Sequence, residues 1–221
     1  MPPQIQVQGV SIVLIGSFNP AIFQPSWFAL HNLLRSEEAD AATIDIIHPD
    51  VAHFKTEWLE VNIVRDRFQI STVQESYYEA LRDLAVGILM LLSHTPVKVM
   101  GINRDFHFDL ASEETWHALG HRLVPKGDWN PLLKNPGMEA LVVKGIRPDA
   151  FEGYIRVTVQ PSGRIKYGVF IEVNDHYVLT RDEKEVDGSD KARLILSERW
   201  SESMQRGSEI AQAIAKLGEN V

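Results

Sequence analysis

The chain has 221 residues, of which 44% are hydrophobic, with no cysteine, a formal net charge of -8 and an isoelectric point near 5.5. A disulfide, a thiolate metal site and a cysteine nucleophile are therefore excluded, and the acidic balance argues against nucleic acid, whose phosphates need concentrated Lys and Arg. The opening MPPQIQVQ lacks a basic region followed by an apolar run, so no signal peptide or membrane anchor is expected and a cytoplasmic protein is the plain reading.

Residues 9–18 (GVSIVLIGSF) read as a strand that stops at the Asn19-Pro20 turn signal. Ser26 is placed to cap a helix over 27–35, residues 36–40 read as an acidic exposed connection, and 42–47 (ATIDII) as a second strand closed by His48-Pro49-Asp50. Residues 58–64 and 67–73 then alternate apolar and polar around Arg65-Asp66, which predicts a hairpin. Ser76, with Glu79 three residues on, has the form of a capping box opening a helix over 77–93. Tyr77, Leu81, Leu84, Ile88 and Leu92 make one stripe of that helix, but 84–92 (LAVGILMLL) is apolar on every side. A bilayer span needs about 20 residues. The segment is therefore expected to be sandwiched between a sheet below and the last helix of the chain above, with no second subunit required.

Pro96 ends that helix, and 97–110 predicts a long strand. Met100, Ile102, Arg104, Phe106, Phe108 and Leu110 share one face of it; Gly101, Asn103, Asp105, His107 and Asp109 share the other. Ser112 is placed to cap the next helix (SEETWHALGHRLV), with Glu113 and Glu114 favourably set in its first turn. A loop over 125–137 contains Trp129, a strand covers 138–145, and 153–160 and 164–174 form a hairpin around Pro161-Ser162-Gly163. Residues 180–190 read as a charged loop. The last helix, over 191–217, carries Leu196, Trp200, Met204, Gly207 and Ala211 on one stripe, where Gly207 and Ala211 are expected to admit a second helix.

The order β-α-β-β-β-α thus occurs twice, over about 9–94 and 96–217. The expected fold is α+β: one domain of two pseudo-symmetric halves, a curved antiparallel sheet with long helices on one face. This layout is similar to the saddle of the TATA-box-binding protein and to helix-grip folds.

Three candidate chemistries stand out. Gly16-Ser17-Phe18-Asn19-Pro20 resembles the first motif of nucleotidyltransferases, which implies a nucleotide-dependent enzyme, but the family's following H-x-G-H is absent from 21–27 (AIFQPSW). A strand ending in an Asn-Pro turn is the competing reading. Asp105 and His107 on a strand, with Glu114, His117 and His121 on the next helix, could ligate a divalent metal; a solvated strand face and surface histidines are the alternative. Asp149, Glu152, Glu172 and Asp175 could supply paired carboxylates, although acids at this density more often read as solvated, and Trp129 is the tryptophan expected to be most exposed to a partner.

Asp66-Arg67-Phe68, the aromatic helix start at Tyr77-Tyr78 and the strand Val99-Met100-Gly101-Ile102-Asn103-Arg104, with SIVLIGSFNP before them, resemble a sporadically distributed bacterial family of conserved hypothetical proteins. Met100 and Gly101 stand where that family more usually has tyrosine. The resemblance implies no established activity, cofactor or catalytic residue. The expected function is non-catalytic: binding of a protein partner or self-association, with no cofactor, nucleic acid or membrane. A nucleotide- or metal-dependent enzyme is the alternative.

Overall fold

The computed structural model describes residues 2–180 and 188–219. Most of the charged loop expected at 180–190 lies outside the described residues. In chain order the elements are β1 (Gln4–Gly16), α1 (Pro25–Leu30), α2 (Ser36–Asp40), β2 (Thr43–His48), β3 (Val51–Lys55), β4 (Glu60–Val64), β5 (Arg67–Thr72), α3 (Tyr78–Leu91), β6 (Val97–Asp109), α4 (Glu113–Leu123), β7 (Leu141–Ile146), β8 (Gly153–Pro161), β9 (Gly168–Val178) and α5 (Gly188–Ala215). The nine strands form one antiparallel sheet in the order β2-β3-β4-β5-β1-β6-β9-β8-β7. Its centre is the long pair β1/β6, running from Gln4 opposite Asp109 to Gly16 opposite Val97. No described helix is long and apolar enough to cross a membrane.

Period-two alternation decides which face the helices cover. Val10, Ile12 and Leu14 of β1, Met100, Ile102, Phe106 and Phe108 of β6, and Phe68 and Ile70 of β5 are all buried on one face. Helix α3 packs against β5 and β1, and α5 against β6 and β9; the two helices also pack on each other. The apolar helix is therefore covered by the sheet beneath and by α5 at its side, rather than by a helix stacked above it. Met90 and Leu91, at its far end, stay exposed. Trp200 of α5 ties the helices together, donating its Nε1–H to Glu79 Oε1 at 2.9 Å.

The core is divided. One apolar cluster lies under α1, α3 and the first half of α5; the other joins α4, the second half of α5 and the Phe106/Phe108 end of β6. Between them runs a polar seam: Arg104 separates Ile102 from Phe106, Asp175 separates Val173 from Tyr177, and Ser203, Arg206 and Gly207 separate Trp200 from Ala211. Arg104 is only 5% exposed. Its guanidinium lies over the Tyr78 and Phe106 rings at 5.0 and 4.7 Å and donates to Gln8 Oε1 at 3.0 Å. Gly207 has the small side the sequence suggested, but for a different neighbour: a Cβ there would meet Arg104 Cγ at 2.9 Å, so the glycine seats α5 on the sheet rather than on a helix.

Asp175 anchors the seam. Its carboxylate receives Arg147 on one oxygen and Arg206, at 2.7 Å, on the other, while Asp149 pairs with Arg147 at 2.6 Å. Burial works against the Arg147 charge but is outweighed by the Asp149 hydrogen bond and the Asp175 charge, so its pKa rises. Burial and the same carboxylate push the Tyr177 hydroxyl up to about 12. Asp149 and Asp175 are thus not the solvated acids the sequence suggested.

Local differences have local causes. Strand β3 is too short, and too interrupted by His53, to show against the turn before it; His53 is held by Asp45 and Glu60, both at 3.1 Å. The expected acidic connection is the short helix α2, where Glu38 accepts the Arg35 N–H and the Trp58 indole N–H, each at 3.0 Å. Ser76 does not cap α3, which begins through a 3-10 turn over Glu75–Tyr77. Ser112 does cap α4, accepting the Thr115 N–H at 3.2 Å. Strand β9 starts at Gly168 rather than 164, because Ser162 Oγ accepts the N–H groups of Arg164 and Ile165, both at 3.1 Å, and Tyr167 turns the chain with φ +56°.

Candidate functional site

The strand residues that alternate with the core project from the helix-free face. Because all the registers agree, one polar row crosses the sheet from Glu60 through Ser71, Ser11, Asn103 and Asn174 to Arg156. At its middle, Asn103 donates to Ser11 Oγ at 3.0 Å and accepts from the Asn174 amide. Ser11 and Asn103 are buried although no described helix covers them, because they form the floor of a cavity of about 280 Å³. Gly101 keeps that floor open: a Cβ there would come within 2.9 Å of Asn174 Nδ2.

Two buried atoms in this cavity, Asp105 Oδ1 and His176 Nδ1, have no hydrogen-bond partner among the described residues. Buried polar atoms are nearly always paired, so each needs a reason. Asp105 faces Glu172 across the β6/β9 ladder, and Glu172 is in turn bound by Arg156 at 3.2 Å. Burial, then the Glu172 charge, push the Asp105 carboxyl up to about 6. His176 stacks on Tyr154 with ring centroids 4.0 Å apart. Burial, then the charges of Lys144, Arg147 and Arg156, hold its pKa below the ordinary histidine value, which favours the neutral ring.

The expected metal ligands are not brought together. Asp105 and His107 project from the helix-free face, where His107 Nδ1 bonds Ser162 Oγ at 2.8 Å. His117 and His121 belong to α4, which packs through Leu119 on the helix-covered face with Phe106 and Phe108. The sheet lies between the two pairs because odd-numbered residues of β6 point away from the face that α4 covers. No group of three or more His, Asp or Glu suited to a metal ion occurs among the described residues. His117 and His121 instead rim a cavity of about 660 Å³ walled by Trp116, Leu119, Met138 and Val169.

In the Gly16–Pro20 turn the first three N–H groups and the Asn19 side-chain oxygen have structural partners. The Gly16, Ser17 and Phe18 N–H groups reach the carbonyls of Asp66, Pro96 and Arg65 at 3.0, 2.9 and 2.8 Å, and Asn19 Oδ1 accepts the Ala21 N–H at 3.3 Å. A Cβ on Gly16 would strike the Pro96 carbonyl. Gly16→Ala is expected to destabilise the fold by about 1–3 kcal/mol, the usual cost of overpacking, read as a lower urea midpoint.

Trp129 is 47% exposed, and Leu132 and Leu133 beside it are exposed as well. This segment leads into β7, an outermost strand on which Val142, Val143 and Ile146 are exposed, Ile146 to 94%. A cavity of about 430 Å³ lined by Trp129, Leu133, Met138 and Ala140 joins the loop to the start of that strand.

Sequence reasoning singled out Asp105, His107, His117, His121 and Trp129 but missed Asn103, Asn174, His176 and Arg156 as neighbours. The available signal was the alternation of β6, β8 and β9; what it lacked was their order in the sheet. No family model matches this chain. No curated protein matches it at a significant level.

Proposed function

We propose that this protein is a non-catalytic binding module that self-associates through strand β7. The observation that carries the reading is the state of that edge. Its outer N–H and C=O groups have no partner strand among the described residues, and Val142, Val143 and Ile146 project from it into solvent. An exposed apolar edge is a template for another strand. The opposite edge, β2, carries the usual protection, with a register shift between Ile44 and Ile46 and Asp45 held by His53. Strand β7 has neither bulge nor proline, and its single lysine, Lys144, is turned back over the Tyr154 ring at 3.8 Å.

A second copy is the partner this edge fits best. Antiparallel pairing of β7 with itself about a two-fold axis at Lys144 sets Val142 opposite Ile146 on a stretch free of acidic groups, with the Lys144 side chain drawn back over Tyr154. The exposed Trp129, Leu132 and Leu133 extend the same surface beyond the strand.

The single-domain, two-half organisation belongs to this proposal too. It is supported by β1 and β6 pairing at the centre, by β5 and β9 flanking them, and by α3 and α5 ending each half. With this symmetry, strand β2 and one of the two short helices α1 and α2 are the elements of the first half without a counterpart in the second. A cytoplasmic setting is consistent with the cysteine-free composition.

The test is light scattering of the wild type and of Val143→Glu/Ile146→Glu over a range of concentrations. A dimer is expected for the wild type. The variant should be a monomer with unchanged helical circular dichroism, its dissociation constant raised by about a hundredfold or more. A wild type that stays monomeric throughout the range overturns the reading.

A further inference from the structure

The cavity on the helix-free face lies away from the β7 edge, and nothing in the self-association reading uses it. Its field is polarised along the strands. At one end are two carboxylates, Asp105 and Glu172, facing each other across the ladder, with Arg156 committed to Glu172. Arg104 lies on the opposite face of the sheet, and Arg164, in the loop before β9, is the remaining cation acting on Asp105. At the other end, His176 feels Lys144, Arg147 and Arg156, and Arg67 lines the cavity beside the Val99 end of β6. Between the two ends the floor is neutral: Ser11, Gly101, Asn103 and Asn174. Register places His176 opposite Gly101 and Glu172 opposite Asp105. The ends are thus four residues apart along β6, or about 13 Å at the rise of a strand.

We propose that this cavity binds a small elongated zwitterion, an ω-amino acid in chemical class, with its ammonium group at Asp105 and Glu172 and its carboxylate toward His176 and Arg67. The unpaired Asp105 Oδ1 is an acceptor awaiting a donor, and an ammonium group supplies both the hydrogen bond and the opposing charge. His176 Nδ1 is the second unpaired atom, and as the donor tautomer it meets the carboxylate end. A metal ion fits less well, since no group of three or more His, Asp or Glu suited to one occurs among the described residues. A simple anion would be repelled by the Asp105 end. At about 280 Å³ the cavity is at the small end of ligand sites, which suits such a molecule better than a peptide.

The experiment is calorimetry and thermal-shift measurement of the full chain at pH 7.5 with three probes: 6-aminohexanoate, hexylamine and hexanoate. Stabilisation by 6-aminohexanoate is expected, with hexylamine weaker by about tenfold and hexanoate inert at about 10 mM. Asp105→Asn should abolish the 6-aminohexanoate response. Because this variant removes a buried charge, it is expected to remain folded, so a lost response reports binding. No response to 6-aminohexanoate, an equal response to hexylamine, or an undiminished response in Asp105→Asn each overturns the proposal. None of these outcomes bears on the oligomeric state, which tests the self-association reading separately.

Discussion

Asp175→Ala is expected to lower the unfolding free energy by about 3–5 kcal/mol, the typical cost of removing one partner from a buried ion pair. Set against about 5–15 kcal/mol for a whole domain, that is a large fraction of the stability. The carboxylate is only 4% exposed and receives both Arg147 and Arg206. Its loss leaves Arg147, whose side chain is 1% exposed, with the charge of Asp149 alone. The companion double variant, Arg147→Met/Asp175→Leu, should recover much of the loss. It removes the cation and anion together and leaves Asp149 beside Arg206 at 3.4 Å. Urea unfolding of the single and double variants measures the coupling directly. A single variant within 1 kcal/mol of wild type, on the order of a surface substitution, would show that the seam does not hold α5 to the sheet.

Asp105→Asn is expected to act in the opposite direction, and only at higher pH. The Asp105 carboxyl is pushed from 3.8 up to about 6 by burial and by Glu172. Between those two values the folded protein keeps a proton that the unfolded chain releases. Stability contributed by the protonated form is therefore complete below 3.8, is lost as pH rises through 6, and stays lost above it. At about 1.4 kcal/mol per pH unit the difference approaches 3 kcal/mol. Partial access of solvent to the side chain reduces the expected gain for the asparagine variant to about 2 kcal/mol at pH 8. The gain should vanish near pH 4. Unfolding curves at the two pH values give the answer, and equal stabilities at pH 8 would mean that the carboxylate is well solvated in the folded state. A residue whose ionised form destabilises its own fold is the pattern expected where a site is kept for a ligand.

The two variants differ because the same residue type meets different surroundings on opposite faces of one sheet. In sequence, Asp105 and Asp175 look alike, each an acid in an alternating strand. On β9, Asp175 falls on the helix-covered side with Val173 and Tyr177, and the arginines delivered by α5 and by the segment after β7 neutralise it. On β6, Asp105 falls on the uncovered side, where its register neighbour is another acid. Local pattern reports the alternation but not the partner. That depends on which strands become neighbours, and β6 and β9 are separated by two strands and a helix along the chain.

The sequence by itself determined the α+β class, the antiparallel hairpins around 65–66 and 161–163 (the second turn running on to 167), the core face of β6 and the placement of the long helices. These follow from periodicity, turn residues and caps, all of which act within a few residues of one another. It could not show β3 or α2, which are too short to carry a period, nor that Ser76 would be passed over as a cap. Only the tertiary structure decided that α5 lies beside α3, that the sheet separates Asp105 and His107 from His117 and His121, and that Asn103, Asn174 and His176 share one cavity. The physical reason is that strand order and register are set by burying the two apolar clusters together across the whole chain. Side chains distant in sequence are then carried, with no pattern of their own, onto the same or opposite faces of the sheet.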